Sequence, residues 1–268
     1  MKSGSEEKTG SKPDLANIGY TPAAKVSEPW TVEKVLAEIP GDLSLKQTSS
    51  SPLVFFHLLE RLKTTKREGW RRFGISHGES IADHMYRMSI ISMLAPPSLA
   101  ARLDLGKCIK MCLVHDMAEL IVGDITPVDG VPKPEKSRRE TNTMEYLTSL
   151  LNDGNQCAAA GAELGAIWQE YEDAETLESR FVHDVDKMEL LLQMMEYERR
   201  AQQTLDLGEF AYVARKMGLA ETRVWAEELL GERREFWGIR ERVDGDLGTN
   251  GGVAEERNEQ QEAYYSQS

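Results

Sequence analysis

From about residue 50 to residue 240, apolar side chains recur at steps of three and four, and no stretch alternates convincingly between apolar and polar. Side chains three and four apart share one face of a helix, whereas a half-buried strand needs a period of two. An all-α fold is therefore expected. Phe55, Phe56, Leu58, Leu59 and Leu62 predict a first amphipathic helix, opened by Ser51 and Pro52 at the N-cap and N1 positions. Ile81, Met85, Met88, Ile91 and Ser92 mark a second, which stops at Pro96 and Pro97. Leu105 to Val122 reads as one helix, apolar on most faces and hence central. GDITPVDGVPKPEK then breaks regular structure with Gly, Pro and Asp. Beyond it the spacing predicts helices over 140–151, 162–171, 176–203, 210–216 and 222–236.

The flanks are different. Residues 1–28 are rich in Lys, Ser, Gly, Glu and Pro, and residues 244–268 are similarly poor in large apolar groups. Neither can bury enough surface to offset the entropy of ordering, so both are expected to be disordered tails around one domain over 29–243, with its core at 50–240. A net charge of −13 argues against a nucleic-acid partner held by its phosphates. It does not argue against a small anionic substrate met through a bound cation. No apolar run approaches the roughly 20 residues that span a bilayer. The opening MKSGSEEKTGSKPD lacks the apolar stretch of a secretory signal. The three cysteines, Cys108, Cys112 and Cys157, make no disulfide framework, and the first two read as small core residues. The expected setting is the cytosol, with the nucleus also open.

Against this apolar background the polar residues in CLVHDMAELIVGDITP stand out. His115 and Asp116 fall late in an apolar helix, where polar groups are costly unless satisfied. Glu119 follows about one turn on, and Asp124 lies just beyond Gly123. His84 interrupts the apolar face of the second helix, and Asp186 does the same in the long one. Histidine and aspartate together suit a divalent ion of intermediate hardness, and three polar interruptions are explained together if they meet at one ion. His57, His77 and His183 have no such support. His183-Asp184 repeats the His-Asp pair, but no acids follow it as Glu119 and Asp124 follow the first.

The order His84, His115-Asp116, Asp186 resembles the H…HD…D signature of the HD superfamily of metal-dependent phosphohydrolases. LKTTKREGW, ESIADHMYRM, LVHDMAELIVGDITP and DVDKMELLLQMMEYE are similar in particular to the 5'-deoxynucleotidase group of HD domain-containing protein 2 and the YfbR-like enzymes. The resemblance implies a helical HD-domain bundle in which His84, His115, Asp116 and Asp186 hold manganese, cobalt or magnesium. Glu119 matches the glutamate that works beside the reacting water and phosphate, and Asp124 a second essential acid at the substrate. Arg67 and Trp70 fall where relatives place an arginine and a tryptophan against phosphate and sugar. Here the two are separated by Glu68 and Gly69, so Arg71 or Arg72 could take the arginine's place. The implied reaction is hydrolysis of 2'-deoxynucleoside 5'-monophosphates by a homodimer. The Met-rich face of the long helix (Met188, Met194, Met195) is compatible with dimerisation or with core. Rival readings are a dNTP triphosphohydrolase or alarmone hydrolase of the same superfamily, and a non-catalytic regulatory or scaffold module.

Overall fold

The computed structural model describes residues 21, 26–39, 51–152 and 157–238, and its regular elements there are helices. The expected disordered tails lie outside the described residues, save for 21 and 26–28. The helices are α1 (Val32–Glu38), α2 (Leu53–Thr64), α3 (Glu68–Arg71), α4 (Ile81–Ser92), α5 (Pro97–Ala100), α6 (Leu105–Val114), α7 (Glu119–Val122), α8 (Lys133–Asn152), α9 (Ala158–Asp173), α10 (Leu177–Arg200) and α11 (Ala220–Trp237). Gly208–Lys216 is a 3₁₀ helix, and Lys66 and Ser80 form an isolated antiparallel bridge.

At 1.5 Å per residue, the 24 residues of α10 span about 36 Å, and most other elements lean on it. Phe181, Val182 and Val185 on its N-terminal half pack with Met88, Met111 and Cys112 of α4 and α6. Leu191, Met194 and Met195 on the other half pack with Trp70, Phe210 and Leu229. Met188, Met194 and Met195 are thus buried, and the Met-rich face is core and not a free surface. A third cluster, centred on Leu58, Ile81, Leu120 and Leu147, joins α2, α4, α7 and α8.

Three boundaries depart from the sequence reading. The helix expected over Leu105–Val122 ends at Val114. Residues 115–118 form a tighter turn with i→i+3 bonds, Met117 N to Val114 O (3.0 Å) and Glu119 N to Asp116 O (3.0 Å), before α7 begins. α8 starts at Lys133, inside the stretch expected to be irregular, because Pro134 falls in its first turn, where a missing N–H is no loss. The segment at 210–216 is 3₁₀, not α.

Candidate metal centre and pocket

His84 is fully buried on α4, and Ser80 caps that helix in a reciprocal box with Asp83. Its Nδ1 donates to Glu189 Oε2 on α10 at 2.5 Å. His115 closes α6 and donates Nδ1–H to the Cys112 carbonyl at 3.0 Å. Both rings therefore present Nε2, and both Nε2 atoms are buried without a hydrogen-bond partner. Asp186 Oδ1 lies 3.2 Å from His84 Nε2, and Asp116 Oδ2 lies 3.2 Å from His115 Nε2 and 3.8 Å from His84 Nε2. Ligand atoms of His84, His115 and Asp186 all fall within 4.8 Å of one another. Two imidazole lone pairs fixed by Nδ1 hydrogen bonds, with carboxylate oxygens between them, are a donor set that fits a divalent ion.

The charges agree. Burial would raise both carboxyls, yet His115 and Arg67 beside Asp116, and His84 and His115 beside Asp186, hold them well below the usual carboxylate range. Burial and the Arg67 guanidinium pull the His84 pKa down, but Glu189 and Asp186 outweigh them and carry it up to about 10. The fold thus stabilises positive charge at His84 Nε2, where a proton and a metal ion would compete.

The sequence and its fold relate this centre to known proteins. A model of the HD domain matches residues 59–223. The chain belongs to the HD-domain family. The 5'-deoxynucleotidase hdd1 of Schizosaccharomyces pombe is 44% identical over 190 residues, covering 70% of this chain and 93% of its own. The 5'-deoxynucleotidase YBR242W of Saccharomyces cerevisiae is 37% identical over 214 residues, 80% of this chain and 88% of its own. Among solved structures, HD domain-containing protein YGK1 superposes with a TM-score of 0.55 at 30% identity, covering 78% of this chain and 99% of that one.

In this HD domain His115, Asp116 and Asp186 line one wall of a cavity of about 620 Å³, with His84 buried behind them. Glu119 also lines it, 2% exposed, with Oε2 making no hydrogen bond. Burial first, then the Asp116 and Asp124 carboxylates, push its pKa well above the ordinary glutamate value, so it holds a proton readily. Gly123 leaves α7 at φ +82°, a left-handed turn that suits glycine. Asp124 then accepts the Glu68 backbone N–H at 2.7 Å. That bond ties the loop to α3 and, through it, to Arg67, whose Nη1 sits 3.1 Å from Asp116 Oδ2. Arg67 is therefore the arginine at the ion-binding end.

Trp70 is 2% exposed. Its indole N–H donates to Glu79 Oε1 at 2.8 Å, and its ring packs against Tyr197 and Phe210 at 5.3 and 4.6 Å between centroids. It is a packed part of the cavity wall. His57 and His77 are exposed. His183 stacks on Tyr171 at 4.0 Å, and Tyr171 Oη lies 3.4 Å from Asp186 Oδ2. Asp184 serves a different purpose, accepting Gly218 N–H and Leu219 N–H at 2.7 and 2.8 Å.

Sequence reasoning missed Glu189, fully buried, with its second oxygen held by Arg87 Nε at 2.7 Å. The signal was present: Glu189 lies one turn after Asp186 on the apolar side of α10. Glu79, His84 and Glu189 also cluster closely enough to suggest an ion. With Glu189 bonded to both His84 and Arg87, and Glu79 bonded to Trp70, that group is better read as a relay orienting the first ligand. Lys136 was missed as well. It lines the cavity 3.5 Å from Glu140, and Glu119 and Asp116 are among the acids that raise its pKa.

Proposed function

We propose that this protein is a metal-dependent 5'-deoxynucleotidase, hydrolysing 2'-deoxynucleoside 5'-monophosphates to deoxynucleoside and phosphate. The observation that carries it is the convergence, with Asp116 and Asp186, of two Nε2 atoms that make no hydrogen bond, beside Arg67 at a cavity of mononucleotide size. The relatives named 5'-deoxynucleotidase support the same reading.

His84, His115, Asp116 and Asp186 would hold the ion. When bound, a divalent ion supplies Lewis-acid stabilisation of charge on phosphoryl oxygens and eases ionisation of an attacking water. Arg67, already beside Asp116, clamps a non-bridging phosphate oxygen with a planar fork that lysine cannot reproduce. Glu119, whose proton affinity is raised by burial and the neighbouring carboxylates, would donate a proton to the departing 5'-oxygen. Asp124 uses Oδ2 on Glu68 and offers Oδ1 to the sugar 3'-hydroxyl. Trp70, locked by Glu79, Tyr197 and Phe210, forms the unyielding wall at the 2' carbon that disfavours ribose. Manganese, cobalt and magnesium all suit this mixed nitrogen and oxygen donor set.

We further read the protein as a cytosolic homodimer. Three cysteines without a disulfide support the first part, and an exposed apolar stripe on α4, taken up below, supports the second.

The deciding test is phosphate release from deoxy- and ribonucleoside monophosphates and dGTP, using chelator-stripped protein with each metal restored. Metal-dependent release from deoxynucleoside monophosphates, weak on ribonucleotides and abolished in Asp116→Ala, is expected. Release from dGTP alone would transfer the protein to the triphosphohydrolases. Silence throughout would leave a binding module.

A further inference from the structure

Arg67 and Arg72 flank the one-turn helix α3 and reach in different directions. Arg67 joins Asp116 in the ionised part of the cavity, whereas Arg72 faces Glu209 at the start of the 3₁₀ helix. Of the cavity residues supplied by that second element, Phe210, Tyr212 and Val213 are aromatic or apolar, and Lys216 stands at its far end. Phe210 packs on both Trp70 and Phe73, so this wall is fixed.

Arg72 lines the cavity with a side chain 18% exposed, yet its Nε and Nη1 are buried and have no hydrogen-bond partner among the described residues. Its nearest acid, Glu209 Oε1, is 3.9 Å from a guanidinium nitrogen, close enough to balance charge but too far for a hydrogen bond. A buried donor without an acceptor is destabilising, and a guanidinium can only donate. Such a group at a cavity wall is built to receive an acceptor from a ligand. A second phosphate fits poorly beside Arg72, because Glu209 already offsets the positive charge and the neighbouring Phe210, Tyr212 and Val213 are aromatic or apolar. A flat, neutral, acceptor-bearing ring fits well.

We propose that Arg72 reads the nucleobase, donating to a carbonyl oxygen of an oxo-purine or oxo-pyrimidine that lies against Phe210, and so sets a preference against adenine. The inference rests on the nucleotidase reading and adds base specificity to it. The chemical basis is that guanine and hypoxanthine present an oxygen at C6, where adenine presents an amino donor that a guanidinium repels.

The test compares kcat/KM for dIMP, dAMP and base-free 2-deoxyribose 5-phosphate in the wild type and in Arg72→Met. A hydrogen bond to a charged group corresponds to a selectivity of about tenfold or more. The wild type is expected to favour dIMP over dAMP by about that factor, chiefly through KM. Arg72→Met should collapse the ratio towards one and lose far more on dIMP than on the base-free sugar phosphate. The dIMP-to-dAMP ratio within one preparation does not depend on how much of the variant is folded. Wild-type parity between dIMP and dAMP, or equal losses on dIMP and 2-deoxyribose 5-phosphate, would overturn the proposal. Silence of the wild type on all three substrates would remove the nucleotidase reading itself, and the base assignment with it.

Discussion

Glu189 stands outside the proposed ligand set, yet it accepts the Nδ1–H of His84 and is itself braced by Arg87. A carboxylate on the far nitrogen of a ligating imidazole orients the ring and raises its basicity. Glu189→Gln keeps the shape but exchanges a charged acceptor for an amide. Manganese affinity, measured by titration calorimetry, is expected to fall by about 10- to 100-fold; unchanged affinity would mean that α4 packing alone positions His84. The H…HD…D residues were legible as candidates because histidine and aspartate on apolar helix faces are conspicuous. Glu189 was less visible, since one glutamate among many on a charged helix gains meaning only when its partner on α4 is known. Arg72 was visible as an arginine but not as a donor without an acceptor, because burial of individual atoms follows from tertiary packing.

The helices themselves were largely evident from period and punctuation, and the misreadings have local causes. The break after Val114 escaped notice because apolar spacing continues through it: Met111, Val114, Met117 and Ile121 keep the rhythm of a helix across a 3₁₀-like turn. One-turn helices such as α3 and α5 are too short to show any period. Another element-scale feature is the start of α11, whose N-cap residue Leu219 offers no side-chain acceptor. Asp184, 1% exposed on α10, supplies it from outside, bonding Gly218 N, Leu219 N and Thr222 Oγ1. This explains the second His-Asp pair without assigning it any ion. Removing a helix cap and stranding buried donors together cost about 2–3 kcal/mol, so Asp184→Ala should lower unfolding stability in urea by that order. A loss below about 0.5 kcal/mol, within the range of ordinary surface substitutions, would show that α11 is held by its apolar face alone.

At the scale of the whole molecule, burial of the α10 methionines redirects the question of assembly to α4. Tyr86, Ile90, Met93 and Leu94 follow one another at four, three and one residues, 66%, 41%, 50% and 70% exposed, and form an apolar stripe on the outer side of that helix and the turn that ends it. A helix with the candidate ligand His84 on its inner face and an apolar outer face is suited to packing against a second copy. Ile90→Glu with Leu94→Glu is therefore expected to shift the sedimentation coefficient from dimer to monomer. A wild type that sediments as a monomer at micromolar concentration would remove the dimer reading.

The proposed ion-binding centre would also couple the molecule together, because its four candidate donors come from α4, the end of α6 with the turn after it, and α10. The unfolded chain does not hold these donors in one place, so ion binding draws the equilibrium toward the folded state. At a free metal concentration 100 times Kd the stabilisation is about 2.7 kcal/mol, which for a domain of this size corresponds to a rise in Tm of roughly 5–10 °C. Adding manganese to chelator-stripped protein should produce that rise in a calorimetric scan. Asp116→Ala or His84→Ala should remove most of it, whereas Asp184→Ala, which lowers Tm for a different reason, should leave the increment intact. An increment equally large in Asp116→Ala would place the stabilising ion elsewhere. The Asp184 variant serves as the control, since it separates loss of the centre from general weakening of the helices that carry it.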